Sequence, residues 1–155
     1  MIILDERQAI AFEVEGIPAP GGSKNAFAIK RAGRYTGRVA LVDAGGIGNK
    51  LWRAAVRNAA INLAAPMLEG PLRLDVFFRM PRPKYHYKKD GTLKIDAPAW
   101  HVKAPDTTKL LRSTEDALKG VSWVDDSQVC QQSAEKVYSS TPGATIRITQ
   151  LKDSW

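Results

Sequence analysis

Residues 105–129 read PDTTKLLRSTEDALKGVSWVDDSQV, and their spacing decides how the chain folds around them. Pro105 followed by Asp106 is a helix start, with the aspartate at the N-cap. Leu110, Leu111, Thr114, Ala117 and Leu118 then recur at helical spacing and define a core-facing stripe. Thr108, Arg112, Glu115 and Asp116 fall on the other side, at i, i+4, i+7 and i+8. Gly120 closes the helix near Leu118. Trp123 and Val124 form a short strand or turn, and Asp125 and Asp126 follow where the chain folds back. The stretch is therefore a helix and a return, with acidic groups at both ends.

Working outward, residues 129–138 and 144–151 read as two strands joined by the turn SSTPG. Upstream, Leu72, Leu74, Val76 and Phe78 alternate within residues 72–80 (LRLDVFFRM), a strand with one buried face. Residues 49–64 read as a helix whose apolar stripe is Leu51, Trp52, Ala55, Val56, Ala59, Ala60 and Leu63, ended by Pro66. Its basic side, Lys50, Arg53 and Arg57, suits either phosphates or solvent. Residues 11–17 alternate as a strand. PAPGGSKN (18–25) is turn chemistry, and short strands are expected at 26–30 and 38–42 around the basic turn RAGRYTG. Gly45, Gly46 and Gly48 match no phosphate-binding fingerprint and read as a hinge before a helix. Residues after Leu151 are expected to fray. The order predicts an α+β fold in one domain spanning 1–155. A mixed sheet of about four strands carries two helices on one face, with a basic hairpin inserted.

That hairpin lies in PRPKYHYKKDGTLKIDAPAWHVKAP, where Asp90-Gly91 is a strong turn dipeptide. Basic and aromatic residues interleave along it, including Lys84, Tyr85, Tyr87, Lys88, Lys89 and Trp100. The pattern suits backbone contact and base stacking on nucleic acid, or an exposed loop whose aromatics pack on the body. His86 and His101 read as DNA contact or packing rather than catalysis.

The 155 residues carry a formal charge of +7, and the charge is blocked rather than interspersed. Residues 21–57 and 79–103 are basic, whereas Asp106, Glu115, Asp116, Asp125 and Asp126 form an acidic island. Blocked charge of this kind favours a polyanion over a neutral small substrate. A membrane span is excluded by the lack of a long apolar run, and no secretory leader is expected. The single cysteine, Cys130, allows no internal disulfide; it is expected in a strand, buried or half-buried, in a cytoplasmic protein.

Phosphodiester hydrolysis requires an activated water and a stabilised charged transition state, and a divalent cation on carboxylates supplies both. An acidic island between basic flanks has the composition for that chemistry. Taken alone, Asp106 could equally be a plain N-cap and Asp125-Asp126 a plain turn.

The stretches FRMPRPKYHYKKDG, WHVKAPDTTKLLRSTEDALKGVSWVDDSQV and EKVYSSTPGATIRI resemble the RusA family of Holliday-junction resolvases, common in phages and prophages. PAPGGSKN is similar to that family's early Pro-rich segment. The resemblance implies a homodimeric, magnesium-dependent endonuclease that nicks opposed strands of a four-way DNA junction. Mn²⁺ would substitute, and no small-molecule cofactor or membrane partner is implied. The family's metal-binding aspartates fall at Asp106 and Asp126, with Asp125 beside the latter. Asp116 matches its Asp-Ala-Leu segment, and its catalytic lysine falls at Arg112. Lys24, Arg31, Arg34, Lys84, Lys88 and Lys89 are the expected DNA-backbone contacts. Two departures stand out. The family's second aspartate falls at Thr108, and Arg112 keeps the charge of a lysine but cannot act as a base. Either activity is lost, or Glu115 or Asp116, on the same helical side as Thr108, replaces the missing carboxylate.

Overall fold

The computed structural model describes residues 9–21, 24–43 and 46–152. The elements run β1 (Ala9–Glu15), β2 (Lys24–Arg31), β3 (Arg34–Asp43), α1 (Gly46–Asn62), β4 (Leu72–Pro81), α2 (Thr107–Leu118), β5 (Val129–Ser139) and β6 (Gly143–Gln150). The fold is α+β. Four strands form one mixed sheet in the order β1-β6-β4-β5, and β2 and β3 form a separate two-stranded ribbon. β6 pairs antiparallel with both β1 and β4, whereas β5 runs parallel to β4.

β4 follows its sequence alternation. Leu72, Leu74, Val76, Phe78 and Met80 are buried; Arg73 and Phe77 on the other face are exposed. The buried face meets Ile10, Val14, Ala144, Ile146 and Ile148 from its neighbours and Trp52, Val56, Leu110 and Leu118 from the helices, in one core. The opposite face carries polar pairs, with Arg73 at 2.9 Å from Asp75 and Arg79 at 2.8 Å from Glu13.

α1 and α2 pack against each other through polar groups set within the apolar contact. Ser113 Oγ donates to Asn49 Oδ1 at 2.7 Å, and Trp52 Nε1 donates to Thr114 Oγ1 at 3.3 Å. The segment before β2 crosses α2 closely enough that a Cβ at Gly21 would lie 3.1 Å from Ser113 Cα. Gly21 N donates to Lys109 O at 3.0 Å there. The glycine of the PAPGG run is therefore a close-approach residue.

Several expectations are corrected. Leu51 is exposed, because the buried side of α1 is the narrower stripe Trp52, Val56 and Ala60. β2 and β3 extend well beyond the short strands expected, around a turn at Ala32 (φ 51°) and Gly33 (φ 77°). Such a two-residue loop with positive φ at both positions matches strand twist. The Asp90-Gly91 hairpin shrinks to a single bridge between Tyr87 and Leu93, with a 3-10 turn at Lys84–His86. Cys130 is exposed rather than buried, because β5 is an edge strand and its first half is largely open to solvent. Gly22, Ser23 and Gly45, within the expected turn and hinge, lie outside the described residues, as do the last three residues of the tail.

Candidate active site

The polar side of α2 faces a pocket of about 340 Å³ lined by Thr108, Leu111, Arg112, Glu115, Asp116, Asp126 and Gln132. The helix supplies its first five residues at the spacing its period dictates. Asp126 comes from the turn after α2, and Gln132 from β5.

The turn explains why Trp-x-Asp-Asp-x-Gln-Val has its form. Trp123 is buried, and its indole Nε1 donates to Asp126 Oδ1 at 2.8 Å. Asp125 accepts from Ser127 N at 2.9 Å and lies 3.5 Å from Lys119 Nζ. Gln128 Oε1 accepts from Val124 N and Asp125 N, completing a capping box around the 3-10 turn Asp126–Gln128. Gln128 Nε2 donates to Leu68 O and Gly70 O, which ties the turn to the approach of β4. Asp125 and Gln128 thus build the turn, and Trp123 aims Asp126. The Ser127 bonds and Lys119 hold the Asp125 carboxyl below the usual carboxylate range.

Glu115 is the electrostatic centre of the pocket. Burial, and then the charges of Asp126 and Asp116, push its pKa up to about 7, opposed by Arg112 and by the hydrogen bond from Gln132 Nε2. A half-buried carboxylate crowded by two others in a cleft marks a candidate functional site. Asp116 lies 4.0 Å from Arg53 of α1, at the limit of an ion pair.

Asp106 sits at the N-cap of α2, yet its side chain makes no capping hydrogen bond. The plain-cap reading therefore does not account for it. It follows a cis Ala104-Pro105 bond and lies outside the pocket lining. Lys136 Nζ on β5 fixes the approach, donating to Lys103 O at 2.5 Å and Pro105 O at 2.7 Å. Arg112 and Glu115 share the pocket with Asp126; Asp106 and Asp125 stand outside its lining. Arg31, Arg34, Lys84, Lys88 and Lys89 are exposed at a distance from it along the chain, on the β2–β3 turn and the loop after β4, while Lys24 opens β2.

Gln132, Trp123 and Lys136 were not among the sequence-derived candidates. The Trp of the WVDD run was a visible signal. Gln132 and Lys136 become visible only once β5 lies parallel to β4 beside α2.

Among the described residues, no three His, Cys, Asp or Glu side chains gather closely enough to hold a metal ion, so Asp106, Asp125 and Asp126 do not form one such set. The pocket does offer two neighbouring carboxylates, Glu115 and Asp126, with amide and hydroxyl oxygens at hand. That donor set fits a hard cation, since magnesium is commonly held by one or two carboxylates and keeps several waters. No helix among the described residues is long and apolar enough to cross a membrane.

The α+β scaffold places carboxylates and an arginine in one open cleft, on a chain whose other segments are strongly basic, which is the composition that phosphodiester chemistry calls for. The family model for endodeoxyribonuclease RusA matches residues 28–149. The chain belongs to the RusA family, whose members are junction-resolving endodeoxyribonucleases and in general require a divalent metal. No curated protein matches the chain.

Proposed function

We propose that this protein resolves four-way DNA junctions by paired nicks, in a magnesium-dependent reaction carried out by a homodimer in the cytoplasm. Manganese would substitute for magnesium. The observation that carries the reading is the meeting of Glu115 with Asp126 and Arg112 in one pocket, with the Glu115 pKa raised by burial and then by its acidic neighbours. Repulsion among carboxylates is the condition a divalent cation relieves.

Glu115 and Asp126 would hold the cation, with Asp116 beside them and Asp106 and Asp125 at the margin. Glu115 thereby replaces the carboxylate that Thr108 lacks. When bound, the cation lowers the pKa of a coordinated water and neutralises the scissile phosphate. Arg112 presents its guanidinium to the non-bridging phosphate oxygens and stabilises charge as it develops. Trp123 keeps Asp126 turned toward the pocket. Gln132 orients the Glu115 carboxyl. Lys24, Arg31, Arg34, Lys84, Lys88 and Lys89 hold the phosphates of the junction arms.

The test is nicking of a synthetic four-way junction in Mg²⁺ against EDTA, with Glu115→Gln and Asp116→Asn as separate variants. Glu115→Gln is expected to reduce nicking at least 100-fold and Asp116→Asn about 10-fold. Two variants that cut like the wild type would refute the replacement of Thr108.

A second reading is a junction-binding protein without catalysis. Thr108, and the position of Asp106 outside the pocket lining, favour it. Junction binding with no nicking in either metal selects it.

A further inference from the structure

The segment 82–105, between β4 and α2, is ordered without being regular. Lys88 N donates to Thr92 O at 2.7 Å and Lys94 N to His86 O at 3.0 Å. It is laced to β5 by Tyr138 N to Ala99 O at 2.9 Å and His101 N to Lys136 O at 3.3 Å. Beneath it, the His86 and His101 rings each meet Tyr138 edge-on at 4.8 Å between centroids. Arg82 caps this stack, lying over the Tyr138 ring and donating to Pro98 O at 2.8 Å.

This rigid frame displays apolar side chains to solvent. Ile95 is fully exposed, Val102 is 85% exposed, and Trp100 is 59% exposed although its backbone bridges Val137. Apolar groups left this exposed on a well-tied loop add little to the core, and their closeness in sequence marks a candidate contact surface. The loop is also basic. Lys84, Lys88, Lys89, Lys94 and Lys103 lie in the same segment as this apolar crest, while the Asp90 carboxylate is already engaged by Thr92 N and Oγ1. The partner must offer negative charge and flat apolar faces together. Unstacked bases on a phosphate backbone do so. Val102 stands four residues before Asp106, so the crest lies in sequence at the entrance to the candidate site.

We propose that Trp100, with Ile95 and Val102, stacks on bases opened at the branch of a DNA junction while the lysines of the same segment hold its phosphates. The inference rests on the junction-resolving reading and names the part of the substrate this loop takes. Because the backbone frame is already ordered, little backbone freedom remains to be lost on binding.

The experiment compares the full chain with Trp100→Ala and Ile95→Ser, in EDTA, on a four-way junction and on a duplex of equal length. Fluorescence anisotropy measures each Kd at one salt concentration, and 2-aminopurine at the branch reports unstacking. Trp100→Ala is expected to weaken junction binding about 10-fold and to abolish the 2-aminopurine change, with duplex binding unaltered within about two-fold. Ile95→Ser, at a fully exposed position, should act in the same direction more weakly. A wild type that prefers junctions beside two variants that prefer them equally overturns this inference alone. A wild type with no preference for junctions over duplex overturns the proposed function and this inference with it. Loss of self-association in sedimentation, or of binding to anionic phosphatidylserine vesicles, with junction binding intact, would assign the crest to a second copy or a membrane and overturn it.

Discussion

Glu115 carries a cost set by burial first and then by the charges of Asp126 and Asp116. Its carboxyl ionises near 4.5 in the unfolded chain and only at about 7 in the folded one. Between those values the unfolded chain loses its proton first, so folding stability falls as pH rises from about 4.5 to 7, then levels. Glu115→Gln should therefore raise metal-free stability at pH 8 by about 1–2 kcal/mol, a figure reduced for solvent screening, and leave stability at pH 4 unchanged. Urea unfolding at the two pH values checks this; equal gains at both would mean a packing effect instead. The candidate role of Glu115 was legible from its helical spacing to Thr108. The part played by Gln132 was not, because it depends on a parallel pairing between β4 and β5 that no local pattern encodes. Asp125 illustrates the converse: two adjacent aspartates look alike in sequence, yet one builds the turn and the other faces the pocket.

At the scale of elements, period and capping identified α1, α2 and β4, since each presents a clear apolar stripe. The strand order was beyond reach. β5 and β6 are consecutive in sequence, but β4 lies between them in the sheet, and such pairing is set by the whole core. Exposure also departed from pattern where an element meets few partners, as at Leu51 on α1 and Cys130 on β5. The crossing of Gly21 over α2 gives a direct prediction. In Gly21→Ala, the new methyl would meet Ser113 backbone that cannot yield, costing about 1–3 kcal/mol. Because Ser113 lies on the site helix, junction nicking should fall as well. A thermal midpoint within 1 °C of wild type (roughly 0.3 kcal/mol,) would show that the segment can lift away.

Across the whole molecule, charge and burial act together on the segment between β4 and α2. Burial first, then Arg82, Lys103 and Lys94, hold the His86 pKa below its ordinary value; burial and Lys136 do the same for His101. The folded histidines therefore take up protons later than the unfolded chain as pH drops below about 6.5. Stability from this stack is present above that pH and is lost as pH falls. Glu115 has the opposite slope in the overlapping range, so the histidine effect is best read in a Glu115→Gln background. There the thermal midpoint should fall between pH 7 and 5.5, and His86→Phe should flatten the decline. A midpoint that stays level in that background would sever the link between the stack and stability.

The central position of β6 bears on how the chain is made. β1 and β4 are each paired to β6 and not to each other, and β6 ends at Gln150. On a ribosome, β1 emerges long before β6, the strand that will join it to the sheet. Until residues 143–150 clear the exit tunnel, β1 and the inner edge of β4 are open to other partners. Of the six strands described, the last in sequence is the one that joins the first to the rest of the sheet, and the edges of β1 and β4 that it covers stay open to other partners until it pairs.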